Sequence, residues 1–371
     1  MIRAKKKNIF AVCDTEIEYA YNFMEYLMQK KNIPFEIQAF TSPEVLMDFA
    51  RNNEIEILLI SDKAMKEEIR NLPVRQIIIL SEGVHSPGLD QYPTVYKYQS
   101  SDKVIREVMA CYGVEHEVSM AQNGVIKKEM RVIGIYSPIG RTQKTSFALA
   151  LGQILGRDHA ALYLNLESYS GFEQLMETHF EQGLSDVLYY ARQENTGIVY
   201  KIAGMVQTIQ NLDFLPPALF PMDIQTTKYE EWIWLFRQLE QNSNYEVLIL
   251  DLGDGVADLY QILDYCTEIY VPIRQDIISA AKLEQFESAL QMWDSVSVLE
   301  KDQEDTDTVL CRRKKRKAWA EELAWSETGR LCQEAAARRG QRMREAELLR
   351  PLLLEENLTL PANRRMRRSW N

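Results

Sequence analysis

Residues 131–153, RVIGIYSPIGRTQKTSFALALGQ, contain the pattern that decides the fold. The apolar run RVIGIYS predicts a strand, and KTSFALALGQ, with apolar residues on one face, predicts a helix that opens with Lys-Thr. A strand, a turn and such a helix are the setting of a phosphate-binding loop, in which backbone N–H groups and the helix N-terminus face the anion. In that setting Lys144 would neutralise phosphate and Thr145 would ligate magnesium.

The glycine pattern of this loop departs from GxxxxGK[ST]. Pro138 and Gln143 stand where that pattern has glycine. The segment by itself therefore leaves two readings open, a nucleotide site or an ordinary strand, turn and helix.

The elements around this loop extend it into an α/β domain. ALYLNLES, YEVLILDLG and EIYVPIR predict further buried strands. Predicted helices lie at FEQLMETHF, LSDVLYYARQ, ADLYQILDY and SAAKLEQFESALQMWDSV. The domain continues to about residue 298.

The first part of the chain has its own repeating pattern. Strand-like runs NIFAVC, FEIQAF, IEILLIS, QIIILS and TVYKY alternate with the helical stretches EIEYAYNFMEYLMQKK, SPEVLMDFARNN, KAMKEEIRNL and SDKVIREVMACYG. Ser42, followed by Pro43 and Glu44, has the features of a helix start. Five βα units predict a doubly wound parallel sheet, so we expect two such α/β domains in the chain.

Charge is distributed unevenly along the chain. The net charge is -11, but residues 311–371 hold 16 Lys and Arg against 8 Asp and Glu, whereas residues 1–310 hold 27 against 46. The acidic body would repel phosphate backbones and disfavours nucleic acid as a partner. The basic C-terminal extension has a different composition, for which a solvated extension, a nucleic-acid or lipid patch and an altered reading frame remain open.

Cysteine and hydropathy patterns exclude several classes. The five cysteines are widely spaced without a CxxC pair and there are only four histidines, so we expect neither a disulfide framework nor a zinc site. No apolar run approaches the ~18 residues of a transmembrane helix, and acidic residues interrupt the start of the chain before a secretory segment could form. These patterns predict a cytoplasmic protein without a transmembrane segment.

The loop SPIGRTQKTS resembles the deviant Walker A loop of the ParA/MinD family of ATPases, SPKGGVGKTT. The matching residues are Ser137, Pro138, Gly140, Lys144 and Thr145. LYLNLES, GLSDVLYY, NLDFLPPALFP and the Walker B-like strand YEVLILDLGDG extend the resemblance over about residues 131–298.

This resemblance implies a site for ATP and Mg²⁺. The implied nucleotide-binding residues are Ser137, Pro138, Ile139, Gly140, Arg141, Thr142, Gln143, Lys144, Thr145 and Ser146. It also implies that Thr145 and Asp251 hold the metal, and that Glu167 orients the attacking water. Lys144, Glu167 and Asp251 are thus the candidate catalytic residues.

The loop departs from the family at three positions. Ile139 replaces the signature lysine, and Arg141 and Gln143 replace glycines. Because isoleucine cannot supply the charge that the family lysine brings to the transition state, the resemblance implies at most a weak ATPase. Arg141 is an alternative cationic donor, beside the reading as a solvated loop arginine.

The first domain resembles a response-regulator receiver. Asp14 matches the start of the receiver acidic pocket, and Ser81 and Lys97 match the ends of the fourth and fifth strands. Ser61 takes the position of the phosphoacceptor aspartate, with Asp62 one residue later, where alternation along the strand turns it the other way. We therefore expect a receiver-like domain that is not phosphorylated.

A receiver-like domain before a degenerate ParA/MinD-like domain resembles the TadZ/CpaE family of tight-adherence (Flp, type IVb) pilus assembly proteins. The resemblance implies a homodimeric localisation and scaffold protein that recruits other pilus assembly and secretion components, at the cell pole or at the membrane through partners. The expected domains are 1–118 (receiver-like), 119–130 (linker), 131–310 (ATPase-like) and 311–371 (basic segment).

Two other functions remain open from the sequence. One is a ParA-type DNA-partition ATPase, which the acidic body disfavours, and the other is a phosphorylation-dependent signalling module. The aromatic segment around Trp232, Trp234 and Phe236 has more apolar residues than one helical stripe can bury, which indicates core together with a dimer or partner surface.

Overall fold

The computed structural model describes residues 8–83, 88–115, 129–274, 276–292 and 309–313. Within these ranges the chain forms two α/β units, each built on its own mainly parallel sheet. The expected fold class of two doubly wound parallel-sheet domains is confirmed. Most of residues 119–130 and of the basic segment 311–371 lies outside the described residues.

The first unit has five parallel strands in the order β2-β1-β3-β4-β5, which is the doubly wound order of flavodoxin and of receivers. Its strands are β1 (Ile9–Cys13), β2 (Glu36–Phe40), β3 (Ile55–Ser61), β4 (Val74–Ser81) and β5 (Thr94–Tyr96). Its helices are α1 (Ile17–Gln29), α2 (Pro43–Ala50) and α3 (Ser101–Glu115).

Alternation along the strands builds a core on each face of this sheet. Phe10 and Val12 of β1 enter the core with α1 and α3, whereas Ala11 and Cys13 enter the core with α2. The predicted start of α2 is confirmed, since Ser42 Oγ accepts a hydrogen bond from the Glu44 amide at 3.2 Å.

One predicted helix of the first unit is wrong. KAMKEEIRNL forms two short 3-10 turns, Asp62–Ala64 and Glu67–Asn71, in place of an α-helix. Pro73 follows this segment, and a residue before proline is driven away from the α conformation, which leaves Leu72 extended and too few residues for a stable α-helix.

The second unit has seven strands in the order β12-β11-β6-β10-β7-β9-β8, of which β12 and β8 pair antiparallel with their neighbours. The strands are β6 (Arg131–Ile135), β7 (Ala161–Leu166), β8 (Gln207–Ile209), β9 (Leu212–Leu215), β10 (Val247–Leu252), β11 (Glu268–Pro272) and β12 (Val309–Arg313). The sequence analysis missed β8, β9 and β12. The first two are very short, and β12 crosses the expected boundary at residue 310 into the arginine-rich segment.

Helices cover both faces of the second sheet. They are α4 (Lys144–Leu155), α5 (Phe172–Met176), α6 (Leu184–Arg192), α7 (Ile198–Met205), α8 (Pro221–Thr226), α9 (Tyr229–Asn242), α10 (Leu259–Tyr265) and α11 (Ile277–Met292). None of the helices in the described ranges has both the length and the apolar composition needed to cross a membrane.

The aromatic segment of α9 is core. Trp232 and Phe236 are fully buried and their rings lie 6.0 Å apart, while Trp234 is partly buried against the same cluster. The expectation of core is thus confirmed for Trp232 and Phe236, and a dimer or partner surface at this segment stays a prediction. The excess of apolar residues is absorbed because α9 contacts α6 and α7 as well as the sheet.

The two units contact each other through α3 and α7. Tyr200 of α7 lies against two rings of the first unit, with centroid distances of 6.1 Å to Phe35 and 4.8 Å to Tyr112. A Cβ atom at Gly204 would lie 3.1 Å from the Ala110 amide nitrogen, and one at Gly113 would lie 3.2 Å from that of Lys201. Both glycines therefore permit the close approach of the two helices.

A second contact joins the first unit to the far end of α4. Lys31 Nζ donates to the backbone oxygens of Gly156 and Arg157 at 3.0 and 2.7 Å, at the C-terminal end of this helix. Asn32 Nδ2 donates to Tyr245 Oη at 3.2 Å beside it. A lysine at this position donates to carbonyls that have no partner within the helix. Its positive charge also interacts favourably with the negative end of the helix dipole.

The close approach of α3 and α7 predicts the effect of Gly204→Leu. Leucine normally stabilises a helix relative to glycine, but here it should lower the free energy of unfolding by roughly 1–3 kcal/mol because it overpacks the interface. Urea unfolding measures the change. Ala281→Leu on the exposed face of α11 is the control and should be near neutral, and a gain in stability at position 204 would contradict the described contact.

Candidate functional site

The loop between β6 and α4 keeps an unusual backbone conformation. Arg141 and Gln143 have φ values of 62° and 60°, in the left-handed region that favours glycine. These are the two positions at which the sequence departs from a glycine-containing loop. Both positions therefore hold backbone conformations that glycine adopts most easily, although neither residue is glycine.

The N-terminus of α4 opens from this loop. The Gln143 side chain makes no capping hydrogen bond to the first amide donors of the helix, which have no partner within the helix itself. A Cβ atom at Gly140 would meet nothing within 4 Å. Uncapped amides beside open space at the start of a twelve-residue helix suit an anion.

Other loop residues anchor the loop to the sheet. Ser137 is buried, and its hydroxyl donates to the Pro272 backbone oxygen at 2.7 Å at the end of β11. Ile139 is also buried, with 7% of its surface exposed. Thr145 and Ser146 lie half-buried in the first turn of α4, and Pro138 is half-buried before the turn.

Lys144 lies at the centre of a group of acceptors. Its ammonium group makes an ion pair with Asp251 Oδ1, lies 2.7 Å from Glu167 Oε1 and donates to the Leu252 backbone oxygen at 2.7 Å. The three predicted catalytic residues, Lys144, Glu167 and Asp251, thus come together. Parallel strands explain this, because Glu167 follows β7 and Asp251 lies in β10, one residue before its end, at the same edge of the sheet.

Asp251 is fully buried, and its second oxygen also has partners. Tyr163 Oη donates to Asp251 Oδ2 at 2.8 Å, and Asn165 Nδ2 donates to Tyr163 Oη at 2.9 Å and to Asp251 Oδ2 at 3.4 Å. A buried carboxylate is tolerated only with such compensation. The sequence analysis missed Tyr163. The available signal was its position two residues before Asn165, on the same face of β7.

Glu167 is held by its backbone and by a close neighbour. Its amide donates to Asn165 Oδ1 at 3.1 Å. A Cβ atom at Gly253 would lie 2.7 Å from Glu167 Oε2 and 3.0 Å from its Cα. The chain after β10 can pass the carboxylate this closely only because residue 253 is glycine.

The first unit has a separate polar pocket at the ends of β1 and β5. The buried ammonium group of Lys97 lies 2.8 Å from Asp14 Oδ2 and 3.0 Å from Glu16 Oε2. Burial lowers the pKa of Lys97, but hydrogen bonds to Asp14 and Glu16 outweigh it and raise the pKa above its usual value. Ser61 is buried at the end of β3, and the half-buried Asp62 begins the 3-10 turn, where its carboxylate accepts from the Lys63 amide. Within this pocket, Lys97 is thus the positive partner of the carboxylates of Asp14 and Glu16.

The described part of the chain has no cluster of three or more His, Cys, Asp or Glu side chains placed to hold a metal ion. At the loop, however, a hydroxyl at Thr145 and a carboxylate at Asp251 flank the helix N-terminus and Lys144. These donors fit a nucleotide with magnesium, since such a metal takes few protein ligands and completes its shell with phosphate and water.

No protein-family model matches the chain, and no curated protein matches it. Solved structures are similar to it. A ParA family ATPase from Chlorobium tepidum is 18% identical with a TM-score of 0.37, covering 44% of this chain and 68% of that one. A chain of the MinC–MinD cell division protein complex from Aquifex aeolicus is 16% identical with a TM-score of 0.35, covering 45% of this chain and 65% of that one.

A third similar structure is cobyrinic acid a,c-diamide synthase from Mycobacterium smegmatis, solved with an ATP analogue and magnesium. It is 15% identical with a TM-score of 0.36, covering 45% of this chain and 69% of that one. Similarities of this size do not establish a shared function.

The loop backbone predicts opposite effects for two neighbouring substitutions. Gln143→Gly should raise the free energy of unfolding or leave it unchanged, because a side chain in the left-handed region costs about 1–2 kcal/mol, which offsets the greater flexibility of glycine in the unfolded chain. Thr142→Gly, at a position without positive φ, should lower it by roughly 0.5–1 kcal/mol. Urea unfolding measures both, and equal losses would contradict the described loop.

Proposed function

We propose that this protein is an ATP-binding localisation and scaffold protein for tight-adherence (Flp, type IVb) pilus assembly, of the TadZ/CpaE type, with weak or no ATP hydrolysis. One observation carries the nucleotide part of the proposal. The loop before α4 holds left-handed backbone at Arg141 and Gln143 and places Lys144 beside Asp251. Strained non-glycine residues in one short loop suggest a retained function.

A bound anion and the protein's own acceptors would compete for the ammonium group of Lys144. With three acceptors around its ammonium group, Lys144 pairs with both the buried Asp251 and the half-buried Glu167. A triphosphate offers this ammonium new anionic partners, and the uncapped amides of α4 supply further donors. Thr145 and Asp251 would hold Mg²⁺, which supplies charge neutralisation at the phosphates when bound.

Slow hydrolysis is part of the proposal. The side chain of Ile139 is buried, so it does not project from the loop toward a second nucleotide, and it carries no charge. Removing one cationic or hydrogen-bonding contact from a transition state typically costs about a hundredfold or more in rate. A protein of this kind would use bound nucleotide to select a conformation or an assembly state.

The pilus role rests on the order of the domains. A receiver-like unit with Ser61 in the phosphoacceptor position precedes the nucleotide-binding unit, as in the pilus assembly family that the sequence resembles. The proposal includes a homodimer, recruitment of pilus assembly and secretion components, and residence in the cytoplasm at the cell pole or at the membrane through partners. Contacts of the dimer would have to lie outside Trp232 and Phe236, which are buried.

Replacing Lys144 tests nucleotide binding. ATP with MgCl₂ should raise the melting temperature of the unaltered protein, since a ligand that binds only the folded state stabilises it. Lys144→Ala and Lys144→Gln should lose this rise. Both should also melt lower without ligand, because removing one partner leaves the buried Asp251 charge uncompensated.

Arg131→Gln is the matched control for Lys144. It breaks the ion pair with Glu268, 2.8 Å long, at the start of β6 and should lower stability while keeping the ATP-dependent rise. A rise that persists in both Lys144 variants would refute the proposed site. Light scattering on the same samples gives the particle mass, and a monomer under all conditions would contradict the dimer.

Because Ile139 is buried, we expect that a lysine at this position will not restore ATP turnover. Ile139→Lys should lower the free energy of unfolding by at least about 1–3 kcal/mol, because a charged group replaces a buried apolar one, and it should not raise ATP turnover. Arg141→Lys, at an exposed position, should keep stability. A steady-state phosphate-release assay with urea unfolding checks both, and fast, stable Ile139→Lys protein would contradict the prediction.

A further inference from the structure

Tyr163 is a buried tyrosine that points its hydroxyl at the candidate metal ligand. It lies in the middle of β7, fully buried, with its ring 5.9 Å from that of Phe172 and nearly parallel to it. Its hydroxyl donates to Asp251 Oδ2 at 2.8 Å and accepts from Asn165 Nδ2 at 2.9 Å. Both hydrogen-bonding capacities of the hydroxyl are therefore used within one network.

The strand register explains this reach. β7 and β10 run parallel, with Asn165 opposite Asp251 and Tyr163 opposite Ile249. Tyr163 is thus the diagonal neighbour of Asp251 on the same face, at a distance that only a long side chain can bridge.

The two oxygens of Asp251 have different partners. Oδ1 is paired with Lys144, whereas Oδ2 is held by Tyr163 and Asn165. If Lys144 turns to a phosphate, Oδ1 loses its partner and becomes available to a metal-bound water. Only the hydrogen bonds on Oδ2 then keep the carboxylate plane in place.

We propose that Tyr163 is a positioning residue that holds Asp251 for magnesium. The inference rests on the proposed nucleotide site and extends it to a residue that neither binds nucleotide nor contacts the metal. Tyr163 would fix the carboxylate through Oδ2, and Oδ1 would be the oxygen left for the metal. Groups that orient a metal ligand in this way typically contribute ten- to a hundredfold, as an order-of-magnitude figure, to metal affinity.

The competing explanation is a tyrosine that serves only the core. Tyr245 supplies the matched control. It is also buried, and its hydroxyl donates to Asp213 Oδ2 at 3.0 Å and accepts from Asn32 Nδ2 at 3.2 Å. A similar set of tyrosine, aspartate and asparagine thus occurs at the amino end of β10, away from Lys144, with its asparagine supplied by the first unit.

The experiment measures affinity for a non-hydrolysable ATP analogue, AMPPNP, by calorimetry with MgCl₂ and with EDTA. In Tyr163→Phe the ratio of these two affinities should fall about ten- to a hundredfold, through weaker binding with magnesium and unchanged binding with EDTA. In Tyr245→Phe the ratio should not change. Both variants should melt below the unaltered protein, since each loses one buried hydrogen bond to a carboxylate.

Each result has a defined meaning. An unchanged ratio in Tyr163→Phe, or an equal fall in Tyr245→Phe, would overturn the positioning role while leaving the nucleotide site intact. Failure of the unaltered protein to bind AMPPNP under either condition would overturn both. If Tyr163→Phe does not fold, Asn165→Ala replaces it, and the proposal expects a smaller fall of the ratio in the same direction, because the amide orients the Tyr163 hydroxyl.

Discussion

The buried carboxylate of Asp251 is the constraint on which the carboxyl edge of the second sheet depends. A charge with no exposed surface must be compensated inside the protein, and here Lys144 supplies the positive charge while Tyr163 and Asn165 supply hydrogen bonds. These groups come from α4, β7 and β10. The loop before α4 must therefore hold a conformation that delivers Lys144 to Asp251, which ties loop shape, strand register and charge to one interaction.

The same constraint explains how the loop keeps its conformation with Arg141 and Gln143 at two positions that favour glycine. Arg141 and Gln143 both hold positive φ, at a cost of about 1–2 kcal/mol each. The surroundings impose that shape, because Ser137 is bonded to the end of β11, Ile139 is buried and Lys144 is fixed by its acceptors. Glycine would make this backbone easier to adopt, but the packing around the loop selects it without glycine.

Much of the fold and part of the site follow from the sequence in physical terms. Buried parallel strands leave long apolar runs, and their carboxyl ends share one edge, so Glu167, Asp251 and the start of α4 could be expected to meet. The contact of Tyr163 with Asp251 could not be predicted in this way. A tyrosine in an apolar strand is expected to be a core residue until the register of that strand with β10 is known. For the Trp232 segment the sequence could indicate core but not its extent, since periodicity does not reveal how many neighbours surround a helix.

The link between the two units runs through the helix that carries the loop. α4 has twelve residues and spans about 18 Å, with the uncapped, anion-facing end at Lys144 and the other end bonded to Lys31 of the first unit through Gly156 and Arg157. A helix transmits displacement along its axis because its hydrogen bonds resist compression. Any axial shift of α4 at the loop therefore changes two hydrogen bonds that cross between the units, beside the close contact of α3 with α7. The first unit thus contacts the end of α4 that lies opposite the candidate site, while Lys97 in its own polar pocket pairs with Asp14 and Glu16.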